Sequence, residues 1–258
     1  MLIDSHAHLE MKEFDADRND VIERARLAGV ECIVTVGTNL SLSRKALSVA
    51  RQYHDIYATV GVHPHDVAKA ENKTFDELKA LAQDPKVVAF GEIGLDYFRN
   101  ISPREKQVEM FARQLELACE LKLPIIIHDR DAHEQTLRMV KESKVRNGVF
   151  HCFSGDWAMA RQCLDLGFYL SVPGVVTFDK SQKLQEVVRH APLDWLLLET
   201  DCPYLTPAPY RGKRNEPAFI VHTAQKVAQI RGLSCEEVAQ AAAQNTRRLF
   251  RLEPAVPK

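Results

Sequence analysis

Short apolar runs alternate with segments whose apolar positions repeat at the helical period, from one end of the chain to the other. Residues 2–6 read as a strand, and Asp17 reads as the N-cap of a helix that ends at Gly29. Residues 32–36 form a second strand, and Ser41 opens a helix to about His54. A third strand covers 56–62, and Thr74 with Glu77 three residues on has the spacing of a capping box opening the third helix. After a strand at 87–93 comes a long helical segment, 102–122, with Pro103 just inside its start, where a missing N–H costs nothing. Strands at 124–128, 148–153, 168–172 and 196–200 follow, separated by helices near 132–143, 156–166 and 181–190, and residues 217–232 begin a closing helical region. Runs such as Ile125-Ile126-Ile127 and Leu196-Leu197-Leu198 are apolar on both faces, as strands of a parallel sheet covered on both sides must be.

Eight strand-then-helix units in 258 residues predict the α/β class and a single (β/α)8 TIM barrel, one domain over residues 1–258. A doubly wound open sheet fits the same alternation. The count of eight and the placement of the polar residues favour the barrel. His6 and His8 follow the first strand, His63 and His65 the third, and Glu92 ends the fourth. His128 ends the fifth, His151 the sixth and Asp201 the eighth. In a closed barrel these ends converge on one mouth, where active sites are built. Six of the ten histidines gather there.

That spacing suits metal ligation. Residues i and i+2 of a strand face the same way, so His6 and His8 can both point inward. An HxH pair alone is weak, His128 alone reads equally as a core histidine, and Glu92 alone as a buried hydrogen-bonded carboxylate. Together, His6, His8, Glu92, His128, His151 and Asp201 are too many donors for one tetrahedral ion and enough for two divalent ions bridged by a carboxylate and a hydroxide. Glu199, two residues before Asp201, faces the same way one layer deeper and reads as an orienting group, and Asp96 as another or as a turn residue. His54, His133, His190 and His222 fall on helices and read as surface or helix-end residues.

Charge and cysteine content narrow the partners. The net charge of −1 offers no global basic field, so phosphate recognition must be local. Arg130, two residues after His128, and the run Arg211, Lys213, Arg214 are the local candidates. Six cysteines without a CxxC pair argue against a disulfide framework or a thiolate zinc site and fit the reduced thiols of the cytoplasm. No basic apolar leader and no apolar run of about 20 residues occurs, which argues against export or a membrane span. Phe98, Phe153 and Tyr204 are all placed where a ring can stack on a base, and the sequence singles out none of them.

The segments Asp4-Ser5-His6-Ala7-His8-Leu9, Gly61-Val62-His63-Pro64-His65 and Gly91-Glu92-Ile93-Gly94-Leu95-Asp96-Tyr97 resemble those of the TatD family of metal-dependent deoxyribonucleases. So do His128-Asp129-Arg130, His151-Cys152-Phe153-Ser154-Gly155, Glu199-Thr200-Asp201-Cys202-Pro203-Tyr204 and Arg211-Gly212-Lys213-Arg214-Asn215-Glu216-Pro217, in the same order along the chain. Phe219-Ile220 departs mildly from the family pattern. The resemblance implies two metal sites, one surrounded by His6, His8, Glu92 and Asp201 and the other by Glu92, His128 and His151. It also implies hydrolysis of DNA phosphodiester bonds, often exonucleolytic and often with magnesium, although an imidazole-rich site suits zinc, manganese or nickel better. On that reading DNA is the substrate and no obligate protein partner or membrane is involved. Asp201 accepts the proton of the attacking water, Glu92 serves both ions, and His63, His65, Arg130 and Arg211 lie beyond the ligand set as substrate contacts. The competing reading keeps the metal centre and gives it an amide, a lactone or a small phosphoester. A non-enzymatic metal-binding protein would have lost the ligands.

Overall fold

In the computed structural model, which describes residues 1–252, the alternation becomes eight parallel strands: β1 (Leu2–Ala7), β2 (Val30–Val36), β3 (Ile56–Val60), β4 (Val87–Asp96), β5 (Ile125–Arg130), β6 (Gly148–Phe150), β7 (Tyr169–Val172) and β8 (Leu196–Leu198). Each pairs with its successor in one sheet. The last six residues of the expected domain, 253–258, lie outside the described residues.

What separates a barrel from an open sheet is the seam between the first and last strands, and here it is closed largely past the end of β8. Ser5 Oγ donates to the Leu198 carbonyl at 3.0 Å. Asp201 N donates to His6 O, and His8 N to Cys202 O, both at 2.9 Å. The Asp4 carboxylate accepts from Thr200 N at 2.9 Å and from Thr200 Oγ1 at 2.5 Å, although burial pushes its pKa up to about 8. The sheet is a (β/α)8 barrel.

The surrounding helices are α1 (Arg18–Leu27), α2 (Leu40–Gln52), α3 (Asn72–Leu81), α4 (Arg104–Leu121), α5 (His133–Glu142), α6 (Trp157–Asp165), α7 (Gln182–His190) and α8 (Ile220–Arg231), with α9 (Cys235–Phe250) following. Several boundaries differ from the sequence reading for local reasons. Asn39, not Ser41, caps α2, its side-chain oxygen accepting from Leu42 N at 3.0 Å. The capping box of α3 is Glu71 with Thr74, so Thr74 is the third helical residue and not the cap. Asp17 does precede α1, but its carboxylate goes to Arg214 and Arg24 and not to a helix N–H. β6 stops at Phe150 because the chain turns at Cys152, whose φ is +44°.

Two apolar layers result. One fills the space between strands and outer helices, where Phe14, Phe90, Phe111 and Phe168 are wholly buried. The other fills the barrel interior with Ile3, Cys32, Val34, Val36, Val88, Ile126, Val149, Tyr169 and Leu197, joined by Leu249, Phe250 and Leu252 from the end of α9. Asn245 of α9 donates to the carbonyls of Leu193 and Leu196, at the start of β8, at 2.8 and 2.9 Å. The ninth helix therefore plugs the end of the barrel opposite the mouth. Among the described residues no helix is long and apolar enough to cross a membrane.

Candidate metal centre

Strand alternation carries the interior upward into the mouth. Ile126 lies in the apolar filling and His128 stands two residues beyond it; Val149 precedes His151, and Leu197 precedes Glu199 and Asp201, by the same step. β1 breaks the rule, because Ile3 and His6 both face inward, and its pairing with β2 shifts register between Asp4 and Ala7. β4 shifts against β5 between Phe90 and Ile93, the stretch that holds Glu92. Just beyond, Gly94 adopts φ +145° with its Cα against β5, and a Cβ there would sit 2.0 Å from the carbonyl oxygen of His128.

The donors form two groups that share Glu92. In the first, His6 Nε2 lies 3.3 Å from His8 Nε2, 3.5 Å from Glu92 Oε2 and 3.7 Å from Asp201 Oδ1. His8 Nε2 lies 3.8 Å from Glu92 Oε2 and 3.3 Å from Asp201 Oδ1. A tetrahedron of metal–ligand bonds of about 2.1 Å has edges of about 3.4 Å, so these four atoms are spaced as ligands of one ion. In the second group the other carboxylate oxygen, Glu92 Oε1, lies 2.8 Å from His128 Nδ1, 2.8 Å from His151 Nε2 and 3.3 Å from His63 Nε2. The structure thus brings together the six residues singled out as ligands and adds His63, which the sequence reading set beyond them.

Distance alone does not make His63 a ligand; its tautomer decides. His63 Nδ1 accepts from the backbone N–H of His65 at 3.1 Å, so its one ring proton sits on Nε2, facing Glu92 Oε1. With burial pulling its pKa down to about 4, His63 is a neutral donor. The others are held the opposite way round. His8 Nδ1 faces two acceptors, Val36 O at 3.0 Å and Glu10 Oε1 at 3.2 Å, which leaves the Nε2 lone pair free. His128 Nε2 faces Asp96 Oδ2 at 3.2 Å, which leaves Nδ1 free. His6 and His151 stack with ring centroids 4.0 Å apart, their Nδ1 atoms are both buried without a hydrogen-bond partner, and the two rings gather with Glu199. Glu199 accepts from Cys152 N at 2.6 Å and approaches His151 Nδ1 to 3.6 Å. Ligand histidines characteristically have the second nitrogen held as it is in His8 and His128, which fixes the ring and raises its basicity.

Charge makes the same demand. Glu92 and Asp201 are deeply placed, and among the described residues their ion-pair partners are all histidines. Burial alone would raise Glu92, but His151, His63 and His128 hold it well below the usual carboxylate range. Asp201 is likewise lowered against burial, by His8, His6 and His151. Burial lowers His6, whereas His8, His128 and His151 overcome it and are raised by the carboxylates beside them. Two ionised carboxylates ringed by imidazole lone pairs need positive charge, from protons or from a divalent ion. The donor set fits the ion.

The profile of the family described as TatD related DNase matches residues 3–251. The chain belongs to the TatD family. The uncharacterized metal-dependent hydrolase YabD of Bacillus subtilis (strain 168) is 44% identical over 254 residues, covering 98% of this chain and 100% of that protein. The 3′-5′ ssDNA/RNA exonuclease TatD of Erwinia tasmaniensis is 41% identical over 259 residues, covering 97% of this chain and 100% of its own. The crystal structure of YJJV, a TatD homolog from Escherichia coli K12, superposes with a TM-score of 0.93 at 32% identity over 98% of both chains. This TatD-family member is accordingly a metal-dependent hydrolase.

Around the centre, the remaining expected residues divide. Arg130 lays its guanidinium over the Phe98 ring, 4.0 Å from the centroid, and Arg211 covers Phe178 at 4.6 Å. His65 Nε2 meets Asp96 Oδ2 at 2.8 Å, so Asp96 holds His65 and His128 with one oxygen. Arg214, read as part of a basic cluster, is instead bound to Asp17 at 2.6 and 2.8 Å and to the Glu13 carbonyl. The rest of that TatD motif is a strap. Buried Asn215 donates to Thr200 O at 2.9 Å and to Tyr204 O at 2.6 Å, and Glu216 takes Arg24, which fixes the loop whose Asp201 sits at φ +54°. The sequence reading missed Glu10, wholly buried behind His8 and bound by Thr35 Oγ1 at 2.7 Å. A carboxylate two residues past His8, between Leu9 and Met11, was its only signal.

Proposed function

We propose that this protein hydrolyses phosphodiester bonds of DNA at a two-ion centre, with His6, His8, Glu92 and Asp201 holding one ion and Glu92, His128 and His151 the other. The observation that carries the reading is Glu92, whose two oxygens face separate sets of imidazole nitrogens. The bound ions, zinc, manganese or magnesium, would acidify a water and neutralise phosphate charge. Asp201, the more exposed of the two carboxylates, is ionised at neutral pH and takes the proton of the attacking water. His63 Nε2–H, neutral and aimed at the centre, donates to a non-bridging phosphate oxygen. Arg130 supplies a guanidinium above the same side of the mouth, while His65, whose backbone N–H also sets the His63 tautomer, and Arg211 meet more distant phosphates. A phosphate substrate is supported by these donors and by the exonuclease named among the relatives.

One chain supplies every proposed ligand, so the reading needs no protein partner, and residues 1–258 act as one domain. Six unpaired cysteines support a reducing, cytoplasmic setting. The test is metal-reconstituted protein incubated with labelled single- and double-stranded DNA beside ester, lactone and amide substrates, with Mg²⁺, Mn²⁺ and Zn²⁺ in turn. DNA is cleaved if the reading is right. Intact DNA under every metal, with turnover of a neutral substrate, overturns it. Asp201→Asn abolishes turnover with the fold retained, and retained turnover removes its role as proton acceptor.

A further inference from the structure

Large apolar side chains that stay exposed are uncommon on this protein, and their distribution is uneven. Met1 and Leu27 flank strand starts, away from the mouth. Phe98, at 58% exposure, and Tyr204, at 50%, both stand on loops of the mouth, whereas Phe153, the third aromatic candidate, is buried at 3%. Phe98 follows β4 and Tyr204 follows β8, four strands apart in a ring of eight, so the two rings rise from opposite lips. The metal centre lies between them. Tyr204 reaches it directly, its ring meeting His8 edge-on with centroids 6.3 Å apart. Phe98 reaches it through Arg130, whose guanidinium lies 4.0 Å from the ring and whose strand carries His128 two residues earlier.

Both platforms are held from behind. Asp96 Oδ1 accepts from Arg99 N at 2.7 Å, which pins the turn carrying Phe98. The Asn215 amide holds the Tyr204 carbonyl at 2.6 Å, and the phenol hydroxyl donates to Met11 Sδ at 3.5 Å. Rigid, exposed, π-faced and placed on either side of a phosphate-attracting centre, the rings match the recurrent way of gripping unpaired bases. Bases inside a duplex have no free face to offer them. An aromatic ring backed by a guanidinium is suited to a base with its phosphate alongside.

We propose that Phe98 with Arg130, and Tyr204 opposite, are two base-stacking subsites that hold the unpaired nucleobases on either side of the scissile phosphate of a single-stranded polynucleotide. The proposal rests on the phosphodiesterase reading above. Its test is a cycle of enzyme and substrate changes: an intact single-stranded oligonucleotide, and the same strand with a tetrahydrofuran abasic residue on one or the other side of the cleaved bond. Wild-type protein is compared with Phe98→Leu, Tyr204→Leu and Phe98→Trp. The expected result is that wild type loses about tenfold in kcat/KM for each base removed, because stacking contributes on that order. Phe98→Leu abolishes the penalty on one side only and Tyr204→Leu on the other, and Phe98→Trp keeps it. Equal cleavage of intact and abasic strands by wild type, or Leu variants that keep both penalties, overturns the two subsites while leaving the nuclease reading standing. No cleavage of either strand under any metal removes the nuclease reading, and the subsites with it.

Discussion

Ile126 and His128 stand two residues apart on one strand, face the same way, and belong to opposite regimes. Below His128 the barrel is filled by Ile, Val, Leu and aromatic side chains and stoppered by Leu249 and Phe250 of α9 and Leu252 just after it. Above it the same inward positions carry imidazoles and carboxylates that pair with one another and are steadied by main-chain groups such as Val36 O and Cys152 N. The plugged end gains stability from burial, which needs no particular geometry beyond good packing. The mouth gains function from groups whose burial is unfavourable unless every lone pair and proton is placed. One scaffold can hold both because the strand period of two lets a polar layer follow an apolar one without moving the backbone.

The sharpest way to break this contrast is Glu92→Gln. The amide keeps the volume but cannot serve two ions, so kcat/KM should fall about a thousandfold and metal stoichiometry should drop, as measured on reconstituted protein. The metal-free melting temperature should also fall, since His128 and His151 lose the buried counter-charge that Glu92 supplies. A variant that still loads two ions removes Glu92 as the bridge. At the other end, Phe250→Ala should cost about 3–5 kcal/mol in urea unfolding, with metal content and kcat near wild type. A stability cost below about 1 kcal/mol would show that α9 does not plug the interior.

His128 and His151 were legible because strand alternation carries their direction once the apolar runs are seen, whereas Asp201, past the end of β8 at φ +54°, also needs the Asn215 strap. β1 was not fully legible: Ile3 and His6 have opposite parity, and only the register shift between Asp4 and Ala7 lets both face inward. His63 illustrates a deeper limit. Its closeness to Glu92 follows from the strand end, but its role turns on which nitrogen carries the proton, and the His65 backbone N–H sets that. The helix starts were misplaced where two polar residues compete to cap, as Asn39 does with Ser41 and Glu71 with Thr74. At Arg214 the basic run conceals a difference, because that residue's partner, Asp17, lies 197 residues away in sequence.

The two regimes should also separate by pH. In the metal-free protein His8, His128 and His151 are raised above the ordinary histidine value by their carboxylate partners. A raised folded-state value gives stability that is present below the unfolded pKa of about 6.5 and lost as pH rises through the folded values. Metal binding must expel the same protons, so its affinity rises with pH, by about tenfold per unit for each proton displaced. The melting-temperature gap between metal-loaded and metal-free protein should therefore widen from about pH 6 to about pH 8. A gap that is constant or narrows would show that protons and metal do not compete for these rings. Phe250→Ala should lower both curves together and leave the gap unchanged.

The smallest effect belongs to the rim, where the charges look alike in sequence but differ in what they touch. Arg214 is committed to Asp17 and the Glu13 carbonyl, whereas exposed Arg211 rests on the Phe178 ring. Arg214→Ala should cost no more than about 1 kcal/mol of stability, the worth of a partly exposed pair, and leave the salt dependence of DNA binding as it was. Arg211→Ala should leave stability alone and lower the slope of log K against log salt by about 1, one phosphate contact fewer. The reverse pattern would mean that the strap releases Arg214 when nucleic acid arrives. Equal, near-zero slopes for both would confine phosphate recognition to Arg130 and the metal centre itself.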